Sequence, residues 1–237
     1  MAEFPVHHLA VRADVGGLKV SAELRLHEPW TVLFGPSGSG KSTVLRAAAG
    51  LIPQAEVKFS RVEDGGTVEL AGLVPEKRGL SYAPQGAALF PHMSVRENVW
   101  FGLLACDDPL GFAVLPEQSA SLLRVHVLRD RRPSELSGGE RQRVALARAF
   151  AKPQTKLLLL DEPFAGLDRA MRDELLPEML AWTRERGIAV LSVTHDVDEA
   201  LLLGAQVLQM DSGKIIAAGP AREVLAEERE RVLRALR

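Results

Sequence analysis

The sequence predicts an α/β fold with a mainly parallel sheet, an antiparallel N-terminal β-subdomain and an inserted helical subdomain. Short apolar segments with strand character alternate with helical segments in the first and last thirds of the chain, which is typical of a parallel sheet covered on both faces. The middle is richer in helical segments and helix breakers. We therefore expect a single domain over residues 1–237. Residues 1–84 and 153–237 would form the α/β core with the β-subdomain, and residues 85–152 the insertion.

The individual elements follow from local pattern. Alternation around the Gly16-Gly17 turn predicts two strands, and the largely apolar residues 30–34 predict a buried one. A helix is expected to follow and to stop at Gly50. The strand candidates are residues 8–12, 18–24, 30–34, 67–70, 157–160, 188–193 and 207–210, and the helix candidates are residues 41–49, 95–104, 119–128, 140–151, 169–186, 196–203 and 221–237.

Composition and charge are those of a globular protein and limit the kinds of partner that it can bind. Of the 237 residues, 46% are hydrophobic and 25% charged, and the net charge of −2 leaves no basic excess for nucleic acid. Cys106 is the single cysteine, which favours a reducing compartment. The sequence shows neither an apolar run near the ~20 residues of a spanning helix nor the pattern of a signal peptide. We expect a soluble, cytoplasmic protein that acts at a membrane only through a partner.

A glycine-rich loop follows the strand at residues 30–34. Glycines let backbone N–H groups turn towards phosphates, and the N-terminus of the next helix adds positive potential. Lys41 is expected to reach the β- and γ-phosphates of a nucleotide, and Ser42 to bind Mg²⁺. The motif predicts a P-loop NTPase core but does not by itself distinguish families. Its residues, which match G-x-x-x-x-G-K-[ST] and extend one further, are Gly35, Pro36, Ser37, Gly38, Ser39, Gly40, Lys41, Ser42 and Thr43.

Two acids end the apolar segment at residues 157–160. The residues after a buried strand lie at the carboxyl edge of the sheet, where ligands bind in open α/β sheets. Asp161 is therefore predicted to hold Mg²⁺ through water, and Glu162 to polarise the attacking water. The alternative is that these are two solvated acids at an ordinary strand end. The presence of the phosphate loop disfavours this alternative.

The segment Leu136-Ser137-Gly138-Gly139-Glu140 has two compatible interpretations. Ser137 and Glu140 have the spacing of a capping box that opens a helix. Two glycines at a helix N-terminus also expose backbone N–H groups to an anion. Since a phosphate loop already lies elsewhere on the chain, a second anion site favours a nucleotide shared across a dimer.

With these motifs in place, the chain resembles the ATP-binding subunits of ATP-binding cassette (ABC) transporters over essentially its whole length. Six motifs in the family's order are far more specific than any one of them. They are the phosphate loop at residues 35–43, Gln85 of the Q-loop, the signature at residues 136–140, Asp161 with Glu162, the D-loop at residues 165–168, and the switch histidine His195.

The resemblance implies ATP and Mg²⁺ as ligands and a role for each polar residue. Glu162, His195 and Gln85 would be catalytic, with His195 contacting the γ-phosphate and Gln85 the water. Ser42, Gln85 and Asp161 would hold the metal. One departure concerns the base, because residues 10–18 lack the aromatic that the family usually stacks on adenine. Aliphatic contact from Val11 or Val15 is the expected substitute, so discrimination between ATP and GTP is expected to be weak.

The resemblance also implies partners. Ser137, Gly138 and Gly139 would close on the nucleotide of a second ATPase subunit in a homodimer, with Asp168 at the interface. An integral membrane permease would bind directly and a periplasmic or extracellular solute-binding protein indirectly. No nucleic acid is expected. The chain would be peripheral, on the cytoplasmic face of the plasma (inner) membrane.

Local matches favour an importer of the molybdate group, so uptake of molybdate or tungstate is the expected function. Sulfate, iron and polyamine importers remain alternatives, as does a soluble ABC ATPase of DNA repair or translation. The chain has no long coiled coil and only one set of motifs, which favours transport. The matches are Pro75-Glu76-Lys77-Arg78, Leu89-Phe90-Pro91-His92 and Glu174-Leu175-Leu176-Pro177, the second being shared among all these importers.

Overall fold

The computed structural model describes residues 5–63, 65–103 and 110–235, which form two sheets and the helices packed on them. The strands are β1 (Val6–Val15), β2 (Leu18–Leu26), β3 (Trp30–Phe34), β4 (Glu56–Glu63), β5 (Gly66–Glu69), β6 (Leu80–Ala83), β7 (Leu157–Asp161), β8 (Ala189–Thr194), β9 (Gln206–Asp211) and β10 (Lys214–Pro220). The helices are α1 (Lys41–Ala48), α2 (Val95–Trp100), α3 (Val114–Leu122), α4 (Gly138–Phe150), α5 (Arg169–Glu185), α6 (Val197–Leu202), α7 (Ala221–Val224) and α8 (Ala226–Ala235).

The central sheet has the strand order β10-β9-β3-β8-β7-β6 and is parallel except for the antiparallel β10. Every residue of β3, β7 and β8 is buried, as expected for strands covered on both faces. Phe34 pairs with Thr194, and Asp161 pairs with Val193. The ends of these three strands therefore deliver the phosphate loop, the acidic pair and His195 to one edge of the sheet.

The second sheet, with the order β2-β1-β4-β5, is antiparallel throughout and confirms the predicted N-terminal β-subdomain. Its hairpin turns at Gly16 and Gly17, which both have positive φ. One face of the sheet packs on α1 and on the central sheet. Leu24 and Phe59 share a core there with Val44 and Leu191.

Helices α2, α3 and α4 lie between β6 and β7 in the chain, as the predicted helical insertion requires. Buried residues such as Val99 of α2, Leu123 directly after α3 and Val144 of α4 join the core on the other face of the central sheet. Ser81 of β6 donates to the carbonyl of Ala149 at 2.8 Å, which ties α4 to the sheet. The limits 85–152 remain our proposal for this subdomain. No helix in the described ranges is long and apolar enough to span a bilayer.

Several predicted boundaries were wrong. The helix predicted at 95–104 ends at Trp100 and continues as a 3₁₀ turn to Leu103; residue 104 lies outside the described residues. The helix predicted at 119–128 is displaced to α3 (Val114–Leu122). It can begin earlier because Pro116 lies in the first turn, where no backbone N–H is needed for a helical hydrogen bond. It ends earlier because Arg124 has a φ of 58°, which is not helical. The helix predicted at 221–237 is interrupted at the buried Leu225, and residues 236 and 237 lie outside the described residues. Strands β4, β6 and β10 were missed, since each is short or interleaved with polar residues.

His7 of β1 leads to a prediction about acid stability. Its ring is buried and stacks on Phe59 with a centroid distance of 6.0 Å. Burial and, to a lesser extent, the positive charge of the neighbouring Arg61 together lower the pKa of His7 from 6.5 to about 3. Between these two pH values the unfolded chain binds a proton that the folded chain does not. Stability is therefore expected to fall as the pH drops through this window.

Replacing His7 with leucine removes the titrating ring. Between about pH 7 and pH 4, we expect wild type to lose on the order of 3 kcal/mol more stability than His7→Leu. The measurement is the urea unfolding free energy at both pH values. His8→Leu, on the exposed face of the same strand, is the control and should behave as wild type does. An equal loss in wild type and His7→Leu would contradict this account.

Candidate nucleotide site

The loop after β3 closes around the ammonium group of Lys41. Lys41 Nζ donates to the carbonyl oxygens of Gly35 at 2.8 Å and Pro36 at 2.7 Å. Gly35 has a φ of 155°, and a Cβ there would lie 2.0 Å from the carbonyl oxygen of Met210, so this position requires glycine. Burial lowers the pKa of Lys41, although Glu162 opposes this shift. The loop thus holds a cation among carbonyl oxygens where phosphate oxygens could replace them.

Ser42 and Asp161 meet between the phosphate loop and the end of β7. Ser42 Oγ donates to Asp161 Oδ1 at 2.9 Å. Asp161 is only 3% exposed, and burial raises the pKa of its carboxyl group. Burial also raises the pKa of Tyr82 to about 12, with the charge of Asp161 adding to the effect.

These residues fit Mg²⁺. A hydroxyl and a carboxylate are hard oxygen ligands, and a cation would relieve the cost of burying the charge of Asp161. The described part of the chain contains no group of three or more His, Cys, Asp or Glu side chains able to cage a metal.

Glu162 lies one residue beyond β7 in a left-handed conformation with a φ of 47°. Its N–H donates to Val193 O at 3.0 Å. Gln142 of α4 is buried and donates to the carbonyl oxygens of Glu162 at 3.3 Å and Pro163 at 3.0 Å. A non-glycine residue keeps such a backbone only where its surroundings hold it, so these bonds fix the carboxylate at the sheet edge.

The three predicted catalytic residues come together around that carboxylate. Gln85 Nε2 donates to Glu162 Oε2 at 3.0 Å. His195 Nδ1 lies 3.4 Å from Glu162 Oε1, and the ring is 67% exposed. Each carboxylate oxygen therefore has one polar neighbour, which leaves Glu162 able to accept a further hydrogen bond from water.

The signature and D-loop form a neighbouring cluster. Ser137 Oγ accepts from Glu140 N at 3.2 Å, and Ser137 N donates to Glu140 Oε2 at 2.7 Å, which confirms the capping box at α4. Hydrogen bonds that the carboxylate of Glu140 accepts from the backbone N–H and the side chain of Ser137 lower the pKa of Glu140. Gly139 packs closely on Gly166, since a Cβ at Gly139 would lie 3.0 Å from that carbonyl oxygen. Asp168 caps α5 by accepting from Met171 N at 2.9 Å.

A cavity of about 370 Å³ opens beside Glu162 and His195, between α5, α6 and the end of β8. Arg172, Asp196 and Glu199 line its far side. Burial raises the pKa of Glu199 to about 7. The sequence reasoning missed Gln142 and these three residues. Only Asp196 carried a usable signal, since an aspartate before a helical segment is a typical N-cap.

Of the two valines expected to contact the base in place of an aromatic residue, Val11 was a wrong prediction. Val11 is 1% exposed and packs in the core, so it is not available to a base. Val15 is half-buried beside the hairpin turn. A Cβ at Gly40 would lie 2.8 Å from Val20 Cγ2 and 3.4 Å from Leu18 Cδ2, which brings this aliphatic hairpin against the phosphate loop.

A P-loop on a parallel sheet, with a carboxylate, a glutamine and a histidine at the strand ends, defines a nucleotide-binding cassette domain. The sequence pattern of the ABC transporter family matches residues 19–165. The chain belongs to the ABC transporter family.

Relatives and solved structures agree. The chain is 45% identical over 199 residues to the molybdate/tungstate import ATP-binding protein of Thermococcus kodakarensis, covering 82% of this chain and 58% of that one. It is 38% identical over 225 residues to the protein of that name from Archaeoglobus fulgidus, covering 92% and 89%. The chain thus spans little more than half the length of the first relative.

Among solved structures, an ATP-binding cassette dimer in a post-hydrolysis state with ADP and Pi superposes with a TM-score of 0.73 at 23% identity, covering 91% of this chain and 99% of that chain. The protein cbiO1 from Clostridium perfringens, part of the ABC transporter complex cbiONQ, gives a TM-score of 0.76 at 24% identity, covering 99% and 96%. Both likenesses establish the fold.

Proposed function

We propose that this chain is the ATP-hydrolysing subunit of an ABC importer. It binds ATP with Mg²⁺, pairs with a second copy, and lies on the cytoplasmic face of the membrane against a separate permease. The observation that carries the proposal is the convergence of Lys41, the Ser42–Asp161 pair and the Gln85–Glu162–His195 group at one edge of the parallel sheet. Such a set suits phosphoryl transfer to water.

Each of these residues has a task in that reaction. Lys41 exchanges its carbonyl partners for the β- and γ-phosphates. Ser42 and Asp161 would hold Mg²⁺, which would supply positive charge to the phosphate oxygens. Glu162 accepts a proton from the attacking water, since its oxygens already face Gln85 and His195. Gln85 orients this water, and His195 contacts the γ-phosphate.

The signature segment supports a shared site. The side chains of Ser137 and Glu140 are hydrogen-bonded within the capping box. Gly138 and Gly139 have no side chains and place their backbone N–H groups at the N-terminus of the 13-residue α4. A helix N-terminus of that kind attracts phosphate. We therefore assign Ser137, Gly138 and Gly139 to the nucleotide held by the partner, and Asp168 to the interface beside them. Residues 35–43 hold the chain's own nucleotide.

The proposed solute is molybdate or tungstate, with sulfate as the runner-up. The support is the identity to the two import proteins named above and the local matches at residues 75–78 and 174–177. The test uses the chain with its permease in vesicles, together with the solute-binding protein. Molybdate supplied on the outer side should raise ATP hydrolysis severalfold. Stimulation by a sugar, an amino acid or a polyamine, without stimulation by molybdate, tungstate or sulfate, would contradict this assignment.

The segment 86–98 after Gln85 is our proposed contact with the permease. Phe90 is half-buried and packs on the partly exposed Phe101 at a centroid distance of 4.4 Å. Asn98 holds the segment in place: its Nδ2 donates to Phe90 O at 3.2 Å, and its Oδ1 accepts from Phe90 N at 2.9 Å. Phe90 is thus an apolar side chain on a well-fixed loop that follows Gln85, and Gln85 contacts Glu162.

Phe90→Asp is expected to reduce solute uptake at least about tenfold, or 1.4 kcal/mol of coupling, and to leave basal ATP hydrolysis near the wild-type value. The charge disrupts an apolar contact with the permease but lies outside the nucleotide site. Uptake and hydrolysis are measured in the same vesicles. Val127→Asp, at an exposed apolar position on the insertion outside the segment 86–98, is the control. Misfolding of Phe90→Asp alone would show that Phe90 serves internal packing.

A further inference from the structure

We propose that Arg172 is a positioning residue for ATP hydrolysis, because its ion pair with Asp196 fixes the segment that carries His195. This inference rests on the hydrolysis proposed above. It concerns the far side of the 370 Å³ cavity, which Arg172 and Asp196 line together with Glu162 and His195. Neither residue belongs to the motifs identified from the sequence.

Arg172 is an almost fully buried cation one turn into α5. It is 8% exposed, and its Nη1 lies 2.5 Å from Asp196 Oδ2. Its Nε donates to Asp173 Oδ1 at 3.0 Å. The guanidinium is fixed in place because it is buried itself, and loss of its two partly exposed carboxylate partners would leave its charge uncompensated away from water.

Asp196 transmits this fixed position to His195. Its backbone N–H donates to Thr194 Oγ1 at 3.0 Å, and its Oδ1 accepts from Asp198 N at 2.8 Å. The carboxylate of Asp196 thus bonds the start of α6 with one oxygen and Arg172 with the other. His195 lies between Thr194, at the end of β8, and Asp196, so its backbone is held on both sides.

The ring of His195 needs such support, because it is largely exposed and borders the cavity. Packing does not hold it at 3.4 Å from Glu162, so the fixed backbone must do so. The backbone N–H of Arg172 lies in the first turn of α5 and donates to the carbonyl of the N-cap residue Asp168 at 3.0 Å. The pair therefore connects the D-loop end of α5 with the catalytic histidine by direct contacts within one chain.

Arg169 supplies a matched control. It lies on the same helix and also binds an aspartate of the α6 segment, with Nη2 2.9 Å from Asp198 Oδ2. Its side chain, however, is 74% exposed, and exposed ion pairs of this kind contribute little. A variant of Arg169 therefore removes the same type of bond between the same elements without loosening Asp196.

The primary test is the steady-state kinetics of ATP hydrolysis. Arg172→Ala is expected to lower kcat about tenfold or more, with KM for Mg-ATP changed less than about twofold, because the phosphate contacts of Lys41 and Ser42 are untouched. Arg172→Lys should fall between, and Arg169→Ala should match wild type. Equal loss in Arg169→Ala, or a rise in KM without a fall in kcat, would overturn the proposal.

A second variant separates positioning from folding. Arg172→Met combined with Asp196→Asn removes both charges, so no buried charge is left unpaired and the thermal midpoint should stay near that of wild type. We expect kcat to remain low. Recovery of kcat together with stability would assign the pair a purely structural role and overturn the proposal.

A readout without turnover keeps the two proposals apart. In labelled protein, the ring resonances of His195 should shift in Arg172→Ala and not in Arg169→Ala, whether or not ATP is hydrolysed. If wild type did not hydrolyse ATP but the His195 resonances still shifted in Arg172→Ala, the proposed function would be wrong. The role of Arg172 in holding His195 would still stand. An unshifted His195 in Arg172→Ala would overturn the positioning role.

Discussion

Glu162→Gln is expected to lower ATP turnover at least about a hundredfold, since positioned general bases contribute factors of about 10² to 10⁴. The amide keeps the shape of the side chain but cannot take the proton of the attacking water. The contacts of Lys41 with the phosphate loop do not involve Glu162, so ATP binding should persist. With hydrolysis blocked, the variant should accumulate as an ATP-bound dimer. Phosphate release, nucleotide affinity and mass by light scattering measure the three effects.

Glu185→Gln is the control for this experiment, because it makes the same change on an exposed part of α5 and should turn over as wild type does. Turnover of Glu162→Gln within about threefold of wild type would remove Glu162 from the role of base. Loss of ATP affinity in parallel with turnover would instead assign Glu162 to binding.

Mixing two inactive variants is expected to restore activity. In Ser137→Arg the signature is blocked, and in Lys41→Ala the phosphate loop loses its cation, so neither homodimer has an intact site. A mixed dimer joins Lys41 of one chain with Ser137 of the other and contains one complete site. An equal mixture forms such dimers half of the time, so activity should reach about a quarter of the wild-type value.

The capping role of Ser137 requires a control of its own. Ser94 opens α2 with the same capping box, with Glu97 in place of Glu140. Ser94→Arg should lose a cap of similar value, about 1 kcal/mol, and still hydrolyse ATP. If the mixture of Ser137→Arg and Lys41→Ala merely equals the sum of the separate variants, each chain carries its whole site and the shared-site assignment is wrong.

The parts of this molecule that the sequence predicts well are those whose chemistry is local. The phosphate loop is continuous in sequence and needs glycine at a position such as Gly35, so its pattern is readable without a fold. Asp161 and Glu162 follow a continuous apolar run that can only be a buried strand or helix segment. The capping box at Ser137 lies within four residues, and the structure has it as predicted.

The parts that could not be predicted depend on packing between distant segments. Arg172 and Asp196 are 24 residues apart and meet because α5 packs beside the end of β8. Gln142 and Glu162 are 20 residues apart and meet because α4 packs beside the end of β7. Strand β4 interleaves charged residues with Phe59, its one fully buried side chain, so it lacks the alternation that marks a half-buried strand.

In the proposed mechanism, two copies of this chain together hydrolyse ATP. The most direct measurement is phosphate release per chain from Mg-ATP, followed as the concentration of purified wild-type chain is raised. If each site needs Lys41 from one copy and Ser137 from another, the rate per chain should rise with concentration and level off once dimers predominate. A rate per chain that is constant from dilute to concentrated protein, with light scattering showing monomers throughout, would contradict the account.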